Sequence, residues 1–366
     1  MTKLAMTGGD GFLGWHTIGA ATEHGMATTH IPVGEFFDAN QAQAAVTGAS
    51  RFIHLAGVNR GSDDEVHSGN VLFAEQLAQT LRESADPPGT IIYSNSIQAN
   101  LDNVYGRAKA QAAQILAEAA SDIGAEFVDV RFPNLYGEHG RPFYNSVVAT
   151  FCHLLAEGGQ PQVADDKELT LLHAQDAADV LIGAVAPTDM GALTEVETVS
   201  GLLNRLSIIA ETYQRGEIPD VTTIFERNLF NTYRSFAPTL ATGIPLTAHR
   251  DPRGSFFEII RAHGGGGQTS FSTTVPGVTR GQHFHRRKIE RFIVLSGRGT
   301  IALRRVGFPD VTVIPVDGDS PVAVDMPTLW AHNITNTGSG PLYTAFWSNE
   351  LFDPTRPDTI AEVVEP

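Results

Sequence analysis

Four residues in the last third of the chain have the types and spacing of a metal-binding set. His283 and His285 stand two apart, so on a strand their imidazoles share one face, and Glu290 follows after a turn. The run reads Gly277-x5-His283-x-His285-x4-Glu290-x6-Gly297, and a second run, Pro327-x4-His332-x3-Asn336, brings a third imidazole. Three His and one Glu suit a divalent zinc, iron, manganese or nickel ion. Donor types alone do not choose among these, and zinc heads the list. The bland alternative is four unrelated polar residues in a barrel, each satisfied by hydrogen bonds, and the spacing argues against it.

A second chemistry is written near the N-terminus. After the apolar run Leu4–Met6 come Gly8-x-x-Gly11-x-x-Gly14 and a helix-favouring stretch that opens with Phe12 and Leu13 around Gly14. Glycines allow a tight turn and close approach of backbone to a pyrophosphate, and a helix start offers amides and a positive dipole end. Leu55-Ala56-Gly57 closes another strand-like run with small residues able to pass beside a dinucleotide. Tyr105 and Lys109 are four apart, so on a helix phenol and ammonium project to the same side. A nearby ammonium favours phenolate, which suits Tyr105 to proton transfer. Ser96 ends the run before them, where its hydroxyl could bond a substrate carbonyl. A Tyr and Lys at this spacing usually mark a solvated helix face; the upstream glycines and Ser96 lift the trio above that reading.

These residues need two kinds of scaffold. Over the first two thirds, strand-like runs at 4–6, 51–55, 90–94 and 126–131 alternate with alanine-rich helical stretches at 71–84 and 105–120. That alternation predicts an α/β, Rossmann-type doubly wound parallel sheet. From about residue 243 the texture changes to short runs rich in Val, Ile, Phe and Thr at 292–295, 300–304, 311–316 and 342–347, broken by Gly, Pro and Asp. This predicts an all-β jelly-roll barrel, with domains at 1–243 and 244–366.

Composition narrows the partners. The formal net charge of −16 argues against nucleic acid or an anionic membrane, which need a basic face. A single cysteine, Cys152, excludes an intramolecular disulfide framework. No apolar run approaches the length of a membrane span or a signal peptide, so a cytoplasmic protein without membrane insertion is expected.

The glycine turn with Ser96, Tyr105 and Lys109 resembles the extended short-chain dehydrogenases that act on nucleotide sugars. The resemblance implies that Tyr105 is the general acid or base, that Lys109 orients the nicotinamide ribose and that Ser96 polarises the carbonyl. The stretch Arg131-Phe132-Pro133-Asn134-Leu135-Tyr136-Gly137 resembles the segment leading into that family's substrate lobe, making Asn134 and Asn145 substrate-contact candidates; turn formation is an equally good account of both. The His/Glu spacings resemble both signature segments of the cupin superfamily. One difference is Leu329, where the second segment usually carries glycine, which is expected to shift the turn before His332. Ahead of the barrel, Asp251-Pro252-Arg253-Gly254-Ser255-Phe256-Phe257-Glu258 resembles the sugar-nucleotide 3,5-epimerase cupins, in which Arg and Glu help hold the nucleotide. Arg253 and Glu258 inherit that expectation, with a barrel salt bridge as the alternative for Arg253.

A reductase followed by a cupin resembles the family of bifunctional reductase–epimerases of capsular-polysaccharide synthesis. The stretches Ala56–Arg60, Ser96–Ala99, Asn145–Cys152 and Glu350–Pro354 strengthen the likeness. It implies a UDP-linked 2-acetamido-2,6-dideoxy-4-hexulose, epimerised at carbon 3 by the cupin and reduced at carbon 4 to a UDP-6-deoxy-talosamine sugar, towards UDP-N-acetyl-L-fucosamine. It also implies a homodimer through the cupin. Simpler alternatives are a 4-ketoreductase with a structural cupin, or a dinucleotide- and sugar-sensing regulator. The reductant is NADPH or NADH: the stretch 28–33 has no arginine, Asp10 would repel an added phosphate, and His16 would help it. His263 is a candidate base for the epimerisation.

Overall fold

The computed structural model describes residues 2–100, 102–252 and 254–365, save the side chain of Asn100. The chain gathers into two compact units, residues 1–135 with 170–195, and residues 136–169 with 196–366.

The first unit runs β1 (Lys3–Thr7), α1 (Phe12–Glu23), β2 (Ala27–His30), α2 (Ala39–Val46), β3 (Arg51–His54), α3 (Asp63–Glu83), β4 (Thr90–Ser96), α4 (Val104–Ile123) and β5 (Glu126–Phe132). The five strands form one parallel sheet in the order β2-β1-β3-β4-β5. Side chains alternate across it. Ala5, Phe52, Ile91 and Tyr93 enter a core with residues of α2, α3 and α4, whereas Leu4, Met6, Ile53 and Ile92 enter another with residues of α1. Helices on both faces make the sheet doubly wound, as the sequence predicts. The order reverses between β1 and β3, and ligands of such sheets bind beyond the carboxyl ends of the strands at that point.

Local signals fix the helices that matter. Ser62 and Glu65 form a capping box at the start of α3, and Asn103 caps α4 by accepting from the Gly106 amide at 2.7 Å. The second cap, two residues before Tyr105, starts α4 at Val104 and places Tyr105 in its first turn.

The chain continues through β6 (Asn134–Tyr136), α5 (Val147–Ala156), β7 (Glu168–His173), α6 (Ala174–Ile182), β8 (Thr194–Thr198), α7 (Val199–Gln214) and α8 (Ile224–Arg234). Of these, α6 joins the core beside α1 in the first unit. Beyond Arg234 no described residue lies in an α-helix. The strands there are β9 (Ile244–Pro245), β10 (Ala248–Asp251), β11 (Gly254–Phe257), β12 (Gln268–Thr274), β13 (Thr279–Phe284), β14 (Glu290–Ser296), β15 (Arg298–Arg305), β16 (Val311–Asp317), β17 (Val322–Met326), β18 (Trp330–Asn336), β19 (Leu342–Ser348) and β20 (Ile360–Ala361).

Two antiparallel five-stranded sheets, β12-β19-β14-β17-β9 and β16-β15-β18-β13-β20, pack around a shared apolar core that includes Val294, Ile301, Leu303, Val324, Ile334 and Leu342. The all-β half is as the sequence predicts. Helices α7 and α8 belong to the same unit through buried polar contacts: Arg291 pairs with Asp325 at 2.6 Å, Tyr213 donates to Asp325 at 2.8 Å, and Arg234 donates to the Met326 carbonyl at 3.3 Å.

Candidate functional site

The glycine turn between β1 and α1 is built by the absence of side chains. A Cβ on Gly14 would lie 2.1 Å from the Gly8 oxygen, and one on Gly8, whose φ is +68°, would lie 2.8 Å from the Ala56 nitrogen. No side chain can be added at either place without moving backbone. Gly11 caps α1 without a side-chain bond, and no acidic residue occupies the first turn at Phe12 and Leu13, so no carboxylate of that turn competes for the positive end of the helix. At the end of β2 stands His30, whose ring lies 3.2 Å from the Cβ position of Gly9. His16, by contrast, is fully buried against Phe12, Trp15 and His173.

The neighbouring Leu55–Gly57 turn is held by a buried polar pair. The Thr7 hydroxyl accepts from the Leu55 and Ala56 amides, each at 3.1 Å, so its own proton goes to His54 Nδ1 at 2.7 Å. Burial, and then the charge of Lys109, push the His54 pKa down to about 3, which keeps this imidazole a neutral acceptor. His54 stacks on Tyr93 with ring centroids 5.4 Å apart, and the Lys109 ammonium lies 4.2 Å from the centre of that same ring.

Lys109 is nearly fully buried. It donates to the Ser94 carbonyl at 2.8 Å, and its Nζ lies 4.0 Å from the Cβ position of Gly57. Burial lowers its pKa to about 7, although the carboxylate of Asp129 works the other way. Tyr105, in the first turn of α4, is near enough to Tyr93 to reinforce what burial does to that phenol, whose pKa is raised. Ser96 ends β4 and its hydroxyl accepts from the Gln98 amide at 3.2 Å. Its own amide donates to Asn95 Oδ1 at 2.9 Å, while Asn95 donates to Asp129 at 2.7 Å.

The substrate-contact candidates fall in different units. Asn134 donates to the Thr170 carbonyl at 3.1 Å in the first unit, whereas Asn145 sits in an exposed turn of the second. The Glu258 carboxylate is taken by Arg261 in two hydrogen bonds of 2.8 and 2.6 Å. Arg253 lies outside the described residues. His263 is exposed and bonded to Glu217 at 2.6 Å.

The four His/Glu residues do gather: one ligand atom from each of His283, His285, Glu290 and His332 lies within 4.8 Å of the others. The backbone explains why. Strands β13 and β18 are antiparallel, and a bulge at Gln282, whose φ is +66°, shifts the register so that His283 faces His332. Gly281 makes the bulge possible, because a Cβ there would lie 2.8 Å from the His332 carbonyl. Leu329 corrects the sequence expectation. It takes the left-handed conformation that a glycine would, with φ +60°, and is fully buried, so the turn keeps its shape and His332 reaches the cluster. Its amide donates to the His285 carbonyl at 2.7 Å, which holds the two ligand segments together at a strain of about 1–2 kcal/mol.

The electrostatics are those of a cation site. His285 Nδ1 donates to the Asp358 carbonyl and His332 Nδ1 to that of Trp330 at 3.2 Å, which turns both Nε2 atoms towards the cluster. His285 Nε2 lies 3.0 Å from a Glu290 carboxylate oxygen, and His332 Nε2 lies 3.7 Å from the same oxygen, buried and without a hydrogen bond. Burial, followed by the neighbouring imidazoles, pushes His332 down to about 3 and also lowers His283. Burial alone would raise the Glu290 carboxyl, yet the hydrogen bond and charge of His285 hold it at about 2. Burial would lower His285, yet the hydrogen bond and charge of Glu290 raise it, so an ionised carboxylate sits among three imidazoles, a donor set that fits a divalent ion.

The sheet, the glycine turn and the buried lysine define a nicotinamide-binding enzyme class. The description "NAD dependent epimerase/dehydratase family" matches residues 4–194, and the chain belongs to that family. A nicotinamide is the cofactor that membership implies. Residues 249–360 match a second family, "Polysaccharide biosynthesis C-terminal domain".

The UDP-2-acetamido-2,6-beta-L-arabino-hexul-4-ose reductase of Pseudomonas aeruginosa is 31% identical over 98% of this chain and 98% of its own. The capsular polysaccharide assembling protein CapF of Staphylococcus aureus is 33% identical; the match covers 99% of this chain and 100% of that one, with a TM-score of 0.61. The spore coat polysaccharide biosynthesis protein SpsL of Bacillus subtilis is 26% identical over 31% of this chain and 81% of its own.

Sequence reasoning missed the residues that hold the others in place. Thr7, His54 and Tyr93 around the small turn, Asn95 and Asp129 behind Ser96, and Asp358 behind His285 are the main ones. The only sequence signal was polar residues at the ends of apolar strands, which is common in loops.

Proposed function

We propose that the chain is a bifunctional nucleotide-sugar enzyme of polysaccharide synthesis. In this reading the all-β half is a cupin that epimerises carbon 3 of a UDP-2-acetamido-2,6-dideoxy-4-hexulose. The Rossmann half reduces the 4-ketone to a UDP-6-deoxy-talosamine sugar on the way to UDP-N-acetyl-L-fucosamine. The division of chemistry falls at about residue 243, where helices give way to strands; the two family matches, at 4–194 and 249–360, lie on either side. Likeness along the whole chain to a protein named as a hexul-4-ose reductase supports the substrate class. The observation that carries the bifunctional reading is that one chain holds both a glycine turn with a buried lysine and a cluster of four metal-type donors within 4.8 Å.

A bound nicotinamide supplies the hydride for carbon 4. The phenol of Tyr105 gives its proton to the ketone oxygen, and the Ser96 hydroxyl hydrogen-bonds that oxygen. Lys109, whose pKa burial lowers to about 7, regains its charge beside a nucleotide anion, favours phenolate at Tyr105 and holds the nicotinamide ribose. Gly8, Gly11, Gly14 and the amides of Phe12 and Leu13 receive the pyrophosphate, and Leu55–Gly57 runs beside the nucleotide. NADPH is taken ahead of NADH because His30, rather than a carboxylate, ends β2.

A divalent ion, zinc first, supplies Lewis acidity at His283, His285, Glu290 and His332, which suits an acidic proton next to a ketone. Asn134, Asn145, Arg253 and Glu258 are the proposed substrate contacts. A homodimer through the barrel is supported by the exposed Phe271–Tyr343 stack on β12 and β19, with centroids 5.9 Å apart. A cytoplasmic setting agrees with the single cysteine; among the described residues no helix is long and apolar enough to cross a membrane.

The test is oxidation of NADPH, followed by its absorbance, with the UDP-linked 4-keto sugar. Tyr105→Phe should lower the rate by about 100-fold or more. A variant that reduces the sugar at the wild-type rate removes Tyr105 from the mechanism.

A further inference from the structure

The turn between His285 and Glu290 carries Arg286, Arg287 and Lys288, and two of these, Arg286 and Lys288, are largely buried. Three consecutive cations beside a cation site would push an ion away, and three consecutive amides of an irregular turn need acceptors. One residue, distant in sequence, answers the second need, and its carboxylate also lies 3.8 Å from the Arg287 guanidinium. The buried carboxylate of Asp358 accepts from the Arg286 amide at 2.9 Å, the Arg287 amide at 3.0 Å and the Lys288 amide at 2.8 Å. Its own carbonyl receives the His285 Nδ1 proton. The same residue thus shapes the turn joining two cluster members and sets which nitrogen of His285 faces the cluster.

Asp358 is itself held in an uncommon conformation, with φ +44°. What holds it is a strap formed by the residues that follow. In β20, Ile360 pairs with Phe284 and Ala361 with His283. The Glu362 amide donates to the Gln282 carbonyl at 3.0 Å, and the Val364 amide donates to the Gln282 side chain at 2.7 Å. Arg304 closes the strap by donating to the Val364 and Val363 carbonyls at 2.8 and 2.6 Å, and Val364 is fully buried. Every bond from the strap to the His-bearing strand falls at Gln282, His283, Phe284 or the turn after them.

We propose that Asp358, fixed by the strap Asp358–Val364, is the positioning residue of the metal centre, so that retention of the ion depends on this late segment. The inference rests on reading the His/Glu cluster as a metal site, and it adds what orients the ligands. A carboxylate serving only to tie down the chain would stabilise the fold without touching the ligand field of a bound ion. A positioning residue must alter both the affinity and the geometry of ligation, and such outer partners typically govern metal affinity by about 10–100-fold.

Cobalt(II) is the probe, added to the full-length protein after chelator stripping. Its visible absorption reports ligand geometry, and competition with a chelator reports affinity. Asp358→Ala should bind cobalt about 10–100-fold more weakly than wild type, with an altered visible band, while near-ultraviolet circular dichroism shows the barrel still folded. Asp358→Asn, which keeps one acceptor oxygen and nearly the same volume, should lie between the two, and it carries the test if the alanine variant does not fold. Unchanged cobalt affinity and spectrum in these variants, alongside a loss in His283→Ala, overturns the positioning role alone. A lowered apo-protein melting temperature with an unchanged cobalt spectrum does the same. Failure of wild type to bind cobalt, or indifference to His283→Ala, overturns the metal reading and this proposal with it.

Discussion

On the proposed reading, the glycine turn and the His/Glu cluster meet opposite charges by opposite means. At the turn the working groups are backbone amides and a helix end, and the sequence contributes chiefly by leaving side chains out, at Gly8 and Gly14. At the cluster the working groups are four side chains, and the backbone is bent to bring them together by a bulge at Gln282 and a left-handed Leu329. The first site is specified by what cannot be added, the second by what must be oriented. A site built from backbone should therefore fail by steric intrusion, and one built from side chains by loss of ligands or of their supports.

Steric intrusion at the turn is the larger effect. Gly14→Ala puts a methyl group 2.1 Å from the Gly8 oxygen, and NADPH affinity should fall by more than about tenfold, read from the fluorescence of the bound nucleotide. Wild-type affinity in that variant would mean that the turn does not carry the pyrophosphate.

The cluster gives a smaller and more particular signature at Leu329. Leu329→Ala loses buried packing and keeps the strained φ, whereas Leu329→Gly loses the packing but sheds the strain. The glycine variant should be the more stable by about 0.5–1 kcal/mol in urea unfolding, the reverse of the usual ranking of these two residues. The usual ranking would show that the turn relaxes once leucine is gone.

The smallest effect is a slope with pH. Lys109 has a pKa of about 7 in the folded protein, lowered by burial, against about 10.4 in an unfolded chain. Between these values the unfolded chain binds more protons, so this group makes the cofactor-free protein more stable as pH rises from about 7 to about 10. Lys109→Met should flatten that part of the curve of melting temperature against pH. An identical slope in the variant would mean that the lysine is not desolvated in solution.

Much of the fold was legible because the two halves carry different periods. Alternation of strand and alanine-rich helix gave the parallel sheet, and short β-rich runs broken by Gly and Pro gave the barrel. The placement of the candidate residues was legible where spacing carries geometry: glycines three apart in the turn after β1, Tyr105 and Lys109 four apart on α4, His283 and His285 two apart near a strand end. Their supports were not. Thr7 and His54 are 47 residues apart, Asn95 and Asp129 are 34 apart, and His285 and Asp358 are 73 apart. Such pairs meet only through tertiary packing, which no local period encodes. Leu329 shows the opposite error: residue type alone argued for a displaced turn, but packing and the amide bond to His285 outweigh the strain.

The most direct measurement is proton NMR of the UDP-linked 4-keto sugar turned over with NADPH in deuterium oxide, by wild type, Tyr105→Phe and His283→Ala. The account predicts a reduced product deuterated at carbon 3 from wild type. It predicts exchange at carbon 3 without reduction from Tyr105→Phe, and no exchange from His283→Ala. Reduction by wild type without deuterium at carbon 3 would contradict it, leaving a ketoreductase whose barrel takes no part in the chemistry.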